Sequence, residues 1–565
     1  MNIFSFLRRR KPIPEPWAKY YTKEELNIKI PDISMYDQVK KTAHLYPEYI
    51  AYEYMGKKCV YKDFLNEINA WAKVFSKSGV KHGDIVSISL PNIPNVLVVL
   101  YALNKIGAIA NMVHPLSSEE EILFSLNSTK SKYLVMLNTF YSKIENIIDN
   151  SKVEAVIFAS ASDYMPFFTK IAYNITQIGK WKRFYKKFYT EEHIKFPKFG
   201  KDTPAVIIHS GGTSGTPKNV VIQNRAFILG ALQENILMKK LHAGDCCLAI
   251  MPNFHGFGLS VLMHTPLALG CYSILIPQFD SKKFDIMFHK KKPSCVLGVP
   301  TLYEALMSNN NIKNLDLSNL KYIVSGGDIL PKSLEDRMNK YLKEHNSPGR
   351  ITQGYGLSEA LAAVCLACDD INKSGSVGIP LPGNQIKIID PASRITLPYG
   401  EVGEICVHSK AFMQGYLNNE SETNTALQVH KDGHVWLHTG DLGYMDSDGF
   451  VFYKGRLKRM IICSGYNVYP SHIEEVIESH PAVLQCTVVG VPHPYKQEIP
   501  KAFIVLKEGY VAMFIKDDIK AYCKKKLAKY MIPGEFVFRK RLPKTKLGKV
   551  DFKSLQKDTR GDCDE

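Results

Sequence analysis

The sequence predicts an α/β protein, with a large N-terminal domain of layered α/β sheets and a small α+β C-terminal domain. Three observations predict it. From residue 200 onward, short β-branched runs alternate with helical segments, each run leading into a loop rich in Gly, Pro, Ser, Thr or His. Near residue 455 that alternation gives way to a turn, a strand, a glycine break and a helix. A chain of 565 residues also exceeds what one hydrophobic core usually supports.

In chain order, the N-terminus reads MNIFSFLRRRK, a short apolar patch ahead of Arg8, Arg9, Arg10 and Lys11. A secretory signal has the opposite order, so that reading is rejected. A frayed tail and a contact with an anionic membrane surface both remain open. Residues 96–113, VLVVLYALNKIGAIANMV, are strongly apolar, but Asn104, Lys105 and Gly107 interrupt the run. A bilayer helix needs about 20 predominantly apolar residues, so a buried core helix followed by a strand fits better. The segment 160–200 differs: GKWKRFYKKFY (179–189) mixes aromatic and basic residues without a clear period. It is a solvated connector, a membrane-interface segment or a contact for single-stranded nucleic acid.

The runs AVIIHS (205–210), CLAIMP (247–252), YSILIP (272–277), SCVLGVP (294–300) and KYIVSGG (321–327) read as buried strands. They predict a largely parallel sheet with ligand loops at the strands' C-terminal ends. After residue 455, Ser471 and Glu474 fit a capping box opening IEEVIES. QCTVVGV (485–491) and KAFIVLK (501–507) read as strands, followed by a helix with a basic face (516–529) and a tail holding PKTKLGK. The expected division is a tail over 1–30, a large domain over 31–454, a hinge over 455–458 and a small domain over 459–565.

Composition narrows the class. Apolar residues make up 45% and charged residues 22%, which excludes disordered and collagen-like chains. The net charge of +17 raises a nucleic-acid or membrane reading. The lysines, however, are spread along the chain with no zinc-finger, basic-zipper or RNP-type signature, and no nucleic-acid partner is expected. The 12 cysteines include one CxxC, Cys365 and Cys368, but no second pair at zinc-site spacing. Reduced, buried thiols and no secretory signal predict a cytoplasmic protein, with peripheral contact at the inner face of the membrane left open.

The strongest chemical signal is SGGTSGTPKN at 210–219, directly after the strand AVIIH. Thr213, Ser214, Gly215 and Thr216 offer hydroxyl and backbone donors that can wrap phosphate oxygens, and Lys218 adds charge. The spacing does not fit a Walker A loop. A plain flexible linker explains neither the preceding buried strand nor the following Pro-Lys.

This loop resembles the phosphate loop of the adenylate-forming superfamily of acyl-CoA synthetases, peptide-synthetase adenylation domains and luciferases. Further matches follow in that family's order: PNFHGFG (252–258), SGGDIL (325–330), QGYGLSE (353–359), GEI (403–405), TGD (439–441), GRLKRM (455–460) and PKTKLGK (543–549). The resemblance implies a small domain that is mobile, ATP and Mg2+ as requirements, and coenzyme A as the thiol acceptor. Joining a carboxylate to the α-phosphate brings two anions together, so cations and donors should dominate the site.

By that resemblance, Lys549 bridges the substrate carboxylate and the α-phosphate, and Glu359 holds magnesium. Ser358 offers a hydroxyl to the α-phosphate. Tyr355 stacks on the adenine, with Gly326, Gly327 and Asp328 on its other face and edge, and Gln353 and Gly356 in the same nucleotide-lining set. Asp441 accepts from the ribose hydroxyls, and Arg456 donates to the same sugar or phosphate. His255 acts as a gate beside the carboxylate pocket, against the plainer reading of a packed turn residue. Lys458 is the hinge, and Ser464 and Gly465 line the thiol tunnel. GFGLSVLM (256–263) is a candidate wall of an acyl channel.

Three positions depart from the family pattern: Gly211 for a usual Ser or Thr, Asn219 for glycine, and Arg459 for an acidic residue. The expected activity is ligation of a carboxylic acid, a medium- or long-chain fatty acid first, to coenzyme A. An aryl acid, transfer to a carrier protein's phosphopantetheine, and a non-catalytic basic binding protein are the alternatives.

Overall fold

The computed structural model describes residues 15–166, 194, 196–210, 217–280, 283–309, 311–312, 315–361, 363–464, 466–544 and 550–558. The basic N-terminal patch, most of 160–200, the loop residues Gly211–Thr216, Gly465 and Lys549 therefore lie outside the described residues.

The apolar run at 96–113 forms the helix Pro94–Ile106 and the strand Ile109–Met112. Every residue of that helix except Lys105 is buried, which explains why it is hydrophobic all round. The interruptions have structural partners. Asn104 accepts from the Tyr36 backbone N–H (3.0 Å) and donates to Asn224 Oδ1 (2.8 Å). Gly107 caps the helix at φ +74°, a left-handed conformation that costs glycine little.

Three sheets build the large N-terminal part. The first has nine strands. Its middle is parallel: Ile50–Tyr54, Tyr272–Leu275, Cys246–Ala249, Cys295–Gly298, Tyr322–Gly326 and Ile351–Gly356. Antiparallel strands close both edges. The second sheet has seven strands and includes Ile109–Met112 and Pro204–Ser210. Thus the run 205–210 belongs to a different sheet from the other four predicted strands. It also pairs antiparallel with Lys218–Gln223, so the phosphate-type loop joins the two arms of a hairpin. The third sheet is antiparallel and carries Gly403–Ser409, Val435–Met445 and Val451–Arg456.

The fourth sheet gathers Ile461–Cys463, Tyr466–Val468, Val483–His493, Gln497–Leu506 and Glu535–Phe538 around a separate apolar core that includes Ile473, Ile477 and Ile519. Between the third and fourth sheets lies a short 3-10 turn, Leu457–Arg459. Gly455 and Arg456 still belong to the preceding strand. The helix Pro470–Glu478 is present, but it starts ahead of the expected Ser471 cap and not through a capping box. Its N-cap is Tyr469, Ser471 Oγ instead donates to the Lys454 carbonyl, and Glu474 accepts from Arg459 (2.7 Å) and the Val488 N–H (2.8 Å). Long-range partners outcompete the local cap because they are charged or lie in the interface with the third sheet.

Among the described residues no helix is long and apolar enough to cross a membrane. The described cysteines are all free, and all but Cys59 are buried.

Candidate active site

The two parallel strands Tyr322–Gly326 and Ile351–Gly356 end side by side, with Gly326 opposite Gly354. This brings SGGD and QGYG to one edge of the sheet. Gly327 turns the chain at φ +79°, and Gln353 Oε1 accepts the Leu330 N–H (3.2 Å), holding the turn back against its neighbour. Asp328, Gly327 and Gly356 are exposed there, whereas Tyr355 is buried. Strand ends of this kind leave backbone donors and small residues facing a crevice, where α/β sheets take ligands.

Tyr355 does not stand alone. Its hydroxyl donates to Asp441 Oδ2 (2.7 Å), and Arg456 Nε reaches Asp441 Oδ1 (3.1 Å). Asp441 and Arg456 face each other across adjacent antiparallel strands, which is why TGD and GR meet although the motifs are separate in sequence. Asp441 is only 3% exposed. Burial first, and then the Asp441 charge, pushes the Tyr355 phenol well above its ordinary value, so it remains a donor. The same carboxylate raises Arg456 further.

The turn bearing Asp441 is itself held. Glu404, from the GEI run, accepts the Gly440 N–H (3.0 Å) with one oxygen and faces His438 Nδ1 (3.0 Å) with the other. Thr439 Oγ1 donates to the Ile405 carbonyl (2.6 Å) and accepts the Asp441 N–H (3.0 Å). Burial alone would raise the Glu404 carboxyl. The bonds from His438 and Gly440 outweigh it and hold the group below its usual value.

A second cluster forms where the phosphate-type hairpin meets QGYGLSE. Ser358 and Glu359 open a 3-10 turn and are half-buried. Glu359 Oε1 accepts from the Tyr416 hydroxyl (2.7 Å), and its carbonyl accepts the Met413 N–H (2.7 Å). Lys218 lies over the Tyr416 ring, 4.6 Å from its centroid, and pairs with Glu422. Ser210 is cross-strand neighbour to Lys218, so the undescribed Gly211–Thr216 stretch starts and ends beside this cluster.

His255 lies in the turn before the helix Phe257–His264, which is wound as a π-helix. Its ring packs on Phe254 at 4.8 Å, and Phe254 packs on His114 at 4.2 Å. Gly258 is required for this turn, because a Cβ would meet the Pro252 carbonyl oxygen at 2.1 Å. Past Glu359 the chain turns through Leu361 at φ +65° and lines a small cavity of about 20 Å³, room for about one water. Leu229, Gly230 and Glu234 form its second wall, with Ser260, Ala363 and Asn384 beside them.

On the small-domain side, Lys458 is exposed in the Leu457–Arg459 turn. Arg459 is anchored to Glu474 (2.7 Å) and the Val488 carbonyl (3.2 Å), with its guanidinium 3.9 Å from the Phe552 ring centroid. Ser464 is exposed at φ +52°, with its N–H on the Lys496 carbonyl (2.9 Å). Lys544 and Val550 bridge, bracketing the undescribed stretch that ends in Lys549.

Sequence reading missed Tyr416, Glu422, Glu404 and Tyr453, whose ring lies 6.0 Å from that of Tyr355. GEI had been singled out, but nothing local says that its glutamate holds a turn 36 positions later.

Comparison with known proteins agrees with the order of these motifs. Residues 39–417 match the family described as AMP-binding enzyme, and residues 472–549 match its C-terminal domain. The long-chain-fatty-acid–CoA ligase of Bacillus subtilis (strain 168) is 32% identical over 553 residues, covering 95% of this chain and 96% of that one. The 4-coumarate:CoA ligase 1 of Petunia hybrida is 28% identical, covering 89% and 91%. Among solved structures, the anthranilate CoA ligase AuaEII in complex with anthranoyl-AMP superposes with a TM-score of 0.81 at 23% identity, covering 95% and 99%. With one family spanning most of its length in both parts, the chain belongs to the AMP-binding enzymes.

Proposed function

We propose that this protein joins a fatty acid to coenzyme A in two steps through an acyl-adenylate. The observation that carries the reading is the meeting of Tyr355, Asp441 and Arg456 at the ends of two parallel strands, with Glu359 and Lys218 alongside. The curated relatives that are long-chain-fatty-acid–CoA ligases support the substrate class.

In the first step a carboxylate oxygen attacks the α-phosphorus of ATP and pyrophosphate leaves. Asp441, already oriented by Tyr355 and Arg456, receives the ribose hydroxyls. The adenine lies against Tyr355, Gly326, Gly327 and Asp328, with Gln353 and Gly356 bordering it. Thr213, Ser214, Gly215, Thr216 and Lys218 cradle the phosphates. Lys549 neutralises the carboxylate and α-phosphate as they approach. Glu359 with the Ser358 hydroxyl is an all-oxygen donor pair, which suits a hard cation. Magnesium supplies charge neutralisation of the phosphate oxygens when bound with ATP.

In the second step the coenzyme A sulfur attacks the acyl carbonyl carbon and AMP leaves. The small domain turns about Lys458 between the steps, withdrawing Lys549 and bringing Ser464 and Gly465 to the thiol, while His255 opens the path. The short Leu457–Arg459 turn between two independently paired sheets supports a pivot there. Contact with a membrane through residues 1–11 or 160–200 would bring lipid-derived acids to the enzyme. Loss of vesicle co-sedimentation on removing residues 1–11 tests the N-terminal contact.

The test of the main reading is direct. Purified protein with ATP, magnesium, coenzyme A and a panel of acids should form AMP and a thioester, fastest with aliphatic acids. A preference for aryl acids, or for a carrier protein over coenzyme A, would reassign the substrate or acceptor. No pyrophosphate release with any acid would end the ligase reading.

A further inference from the structure

One face of the third sheet gathers side chains of the kinds that hold transition metals. Glu404 and Cys406 belong to the strand Gly403–Ser409, and His438 belongs to Val435–Met445, with Cys406 directly opposite His438. Residues two apart on a strand point to one side, and a directly opposed residue shares it. One ligand atom from each of the three lies within 4.8 Å of the others. His438 Nδ1 is 3.0 Å from Glu404 Oε2 and 3.8 Å from Cys406 Sγ. Glu404 is 7% exposed, and Cys406 is fully buried.

Protons alone do not satisfy this arrangement. With its proton on, Nδ1 donates to the Glu404 carboxylate and offers the Cys406 thiol no acceptor. With its proton off, Nδ1 can accept from the thiol but meets the carboxylate with lone pair against lone pair. A cation accepts an electron pair from all three atoms at once. The spacings suit zinc: with Zn–N, Zn–O and Zn–S lengths of about 2.0–2.3 Å they correspond to angles at the ion of about 95° and 120°. Those values bracket a tetrahedron. A sulfur ligand disfavours magnesium, a hard ion that takes oxygen.

The surroundings fit the same ion. Glu404 Oε1 accepts the Gly440 N–H (3.0 Å), which orients the carboxylate. His438 Nε2 lies 2.9 Å from His430 Nε2. Metal on Nδ1 leaves the Nε2–H to donate there, the outer contact that ligating histidines ordinarily make. His430 is pushed down to about 4, first by burial and then by Lys387, so it is neutral and can accept. Burial raises the Cys406 thiol, so the ion must displace its proton. Two anionic ligands then offset the double charge of the ion, which suits a site near Lys387 and Arg394.

We propose that Glu404, Cys406 and His438 form a zinc site, with water in the fourth position and His430 as the outer partner. Binding replaces the Cys406 S–H bond by Zn–S and releases that proton to solvent. Both histidines stay neutral and exchange tautomers, and no electron is transferred. The site is separate from the one assigned to magnesium at Glu359. Through Glu404 it is tied to the turn that carries Asp441.

The full chain, purified without a polyhistidine tag and stripped by chelator, is dialysed against zinc and, separately, cobalt(II), with ATP and magnesium absent. A single tightly bound equivalent is expected, with about one proton released per ion. The cobalt form should show a thiolate-to-metal charge-transfer band. Cys406→Ser should abolish that band and weaken binding by about 100-fold or more, and His430→Phe should weaken it about 10- to 100-fold with the band kept. Cys59→Ser, at a half-buried thiol elsewhere, should change neither. No charge-transfer band in the wild type, or binding that C406S leaves unchanged, overturns the proposal. Should C406S fail to fold, His438→Gln takes its place: it should weaken binding as much, and unchanged binding would equally end the proposal.

Discussion

Replacing Glu404 by leucine tests whether the turn carrying Asp441 must be held from below. Glu404 is 7% exposed and makes two contacts of 3.0 Å, to the Gly440 N–H and to His438 Nδ1. Hydrogen bonds to a charged group contribute about 1.5–3 kcal/mol each. Leucine fills the space but removes both acceptors and leaves the Gly440 N–H facing hydrocarbon. The summed cost is therefore about 3–6 kcal/mol, shared between stability and turn position. Asp441 keeps its bonds to Tyr355 and Arg456, which resist displacement. We assign about 1.4–2.8 kcal/mol of the loss to nucleotide binding, or roughly 10- to 100-fold in the KM for ATP. Glu404→Gln can still accept from Gly440 and loses mainly the charge, so its effect should be about tenfold or less. Pyrophosphate release with ATP varied at saturating acid reads this out, and thermal melting reports the stability share. An E404L protein that folds and keeps its KM for ATP within about twofold of wild type would refute the reasoning.

Other outcomes follow from single observations. Lys549→Ala should slow adenylation by about 100-fold or more while leaving thioester formation from supplied acyl-adenylate largely intact; equal loss in both steps would contradict a turning small domain. Because the folded Glu234 carboxyl is raised to about 8, the folded state holds a proton that the unfolded chain has lost above about pH 4.5. Wild-type stability should therefore fall as pH rises from 5 to 8, and Glu234→Gln should remove on the order of 1–3 kcal/mol of that fall; parallel melting curves for the two proteins would count against it. Gly258→Ala places a Cβ 2.1 Å from a backbone oxygen and should cost about 1–3 kcal/mol or more, visible as a lowered denaturant midpoint.

Much of the fold was legible because it depends on local patterning. The five β-branched runs became strands, and the all-round apolar segment became a buried helix and a strand, with period and burial agreeing. Local reading failed where a distant partner decided the outcome. Ser471 has the sequence of a capping box with Glu474, yet Lys454 and Arg459 took their side chains. Nothing in AVIIHS tells that it lies in a different sheet from CLAIMP, since strand propensity carries no partner label.

The sequence by itself determined which chemistry the chain can carry: a glycine- and hydroxyl-rich loop behind a strand, QGYGLSE, TGD, GR and a lysine-bearing tail, each a short run whose residue types are read without a fold. Only the tertiary structure decided which of these groups face one another. It joined Tyr355 to Asp441 and Arg456, set Tyr416 between Lys218 and Glu359, and drew Glu404, Cys406 and His438 together. The physical reason is that a motif's residue types are encoded locally. Hydrogen-bond partners and the burial that tunes Glu234 arise only when sheets pack and water leaves.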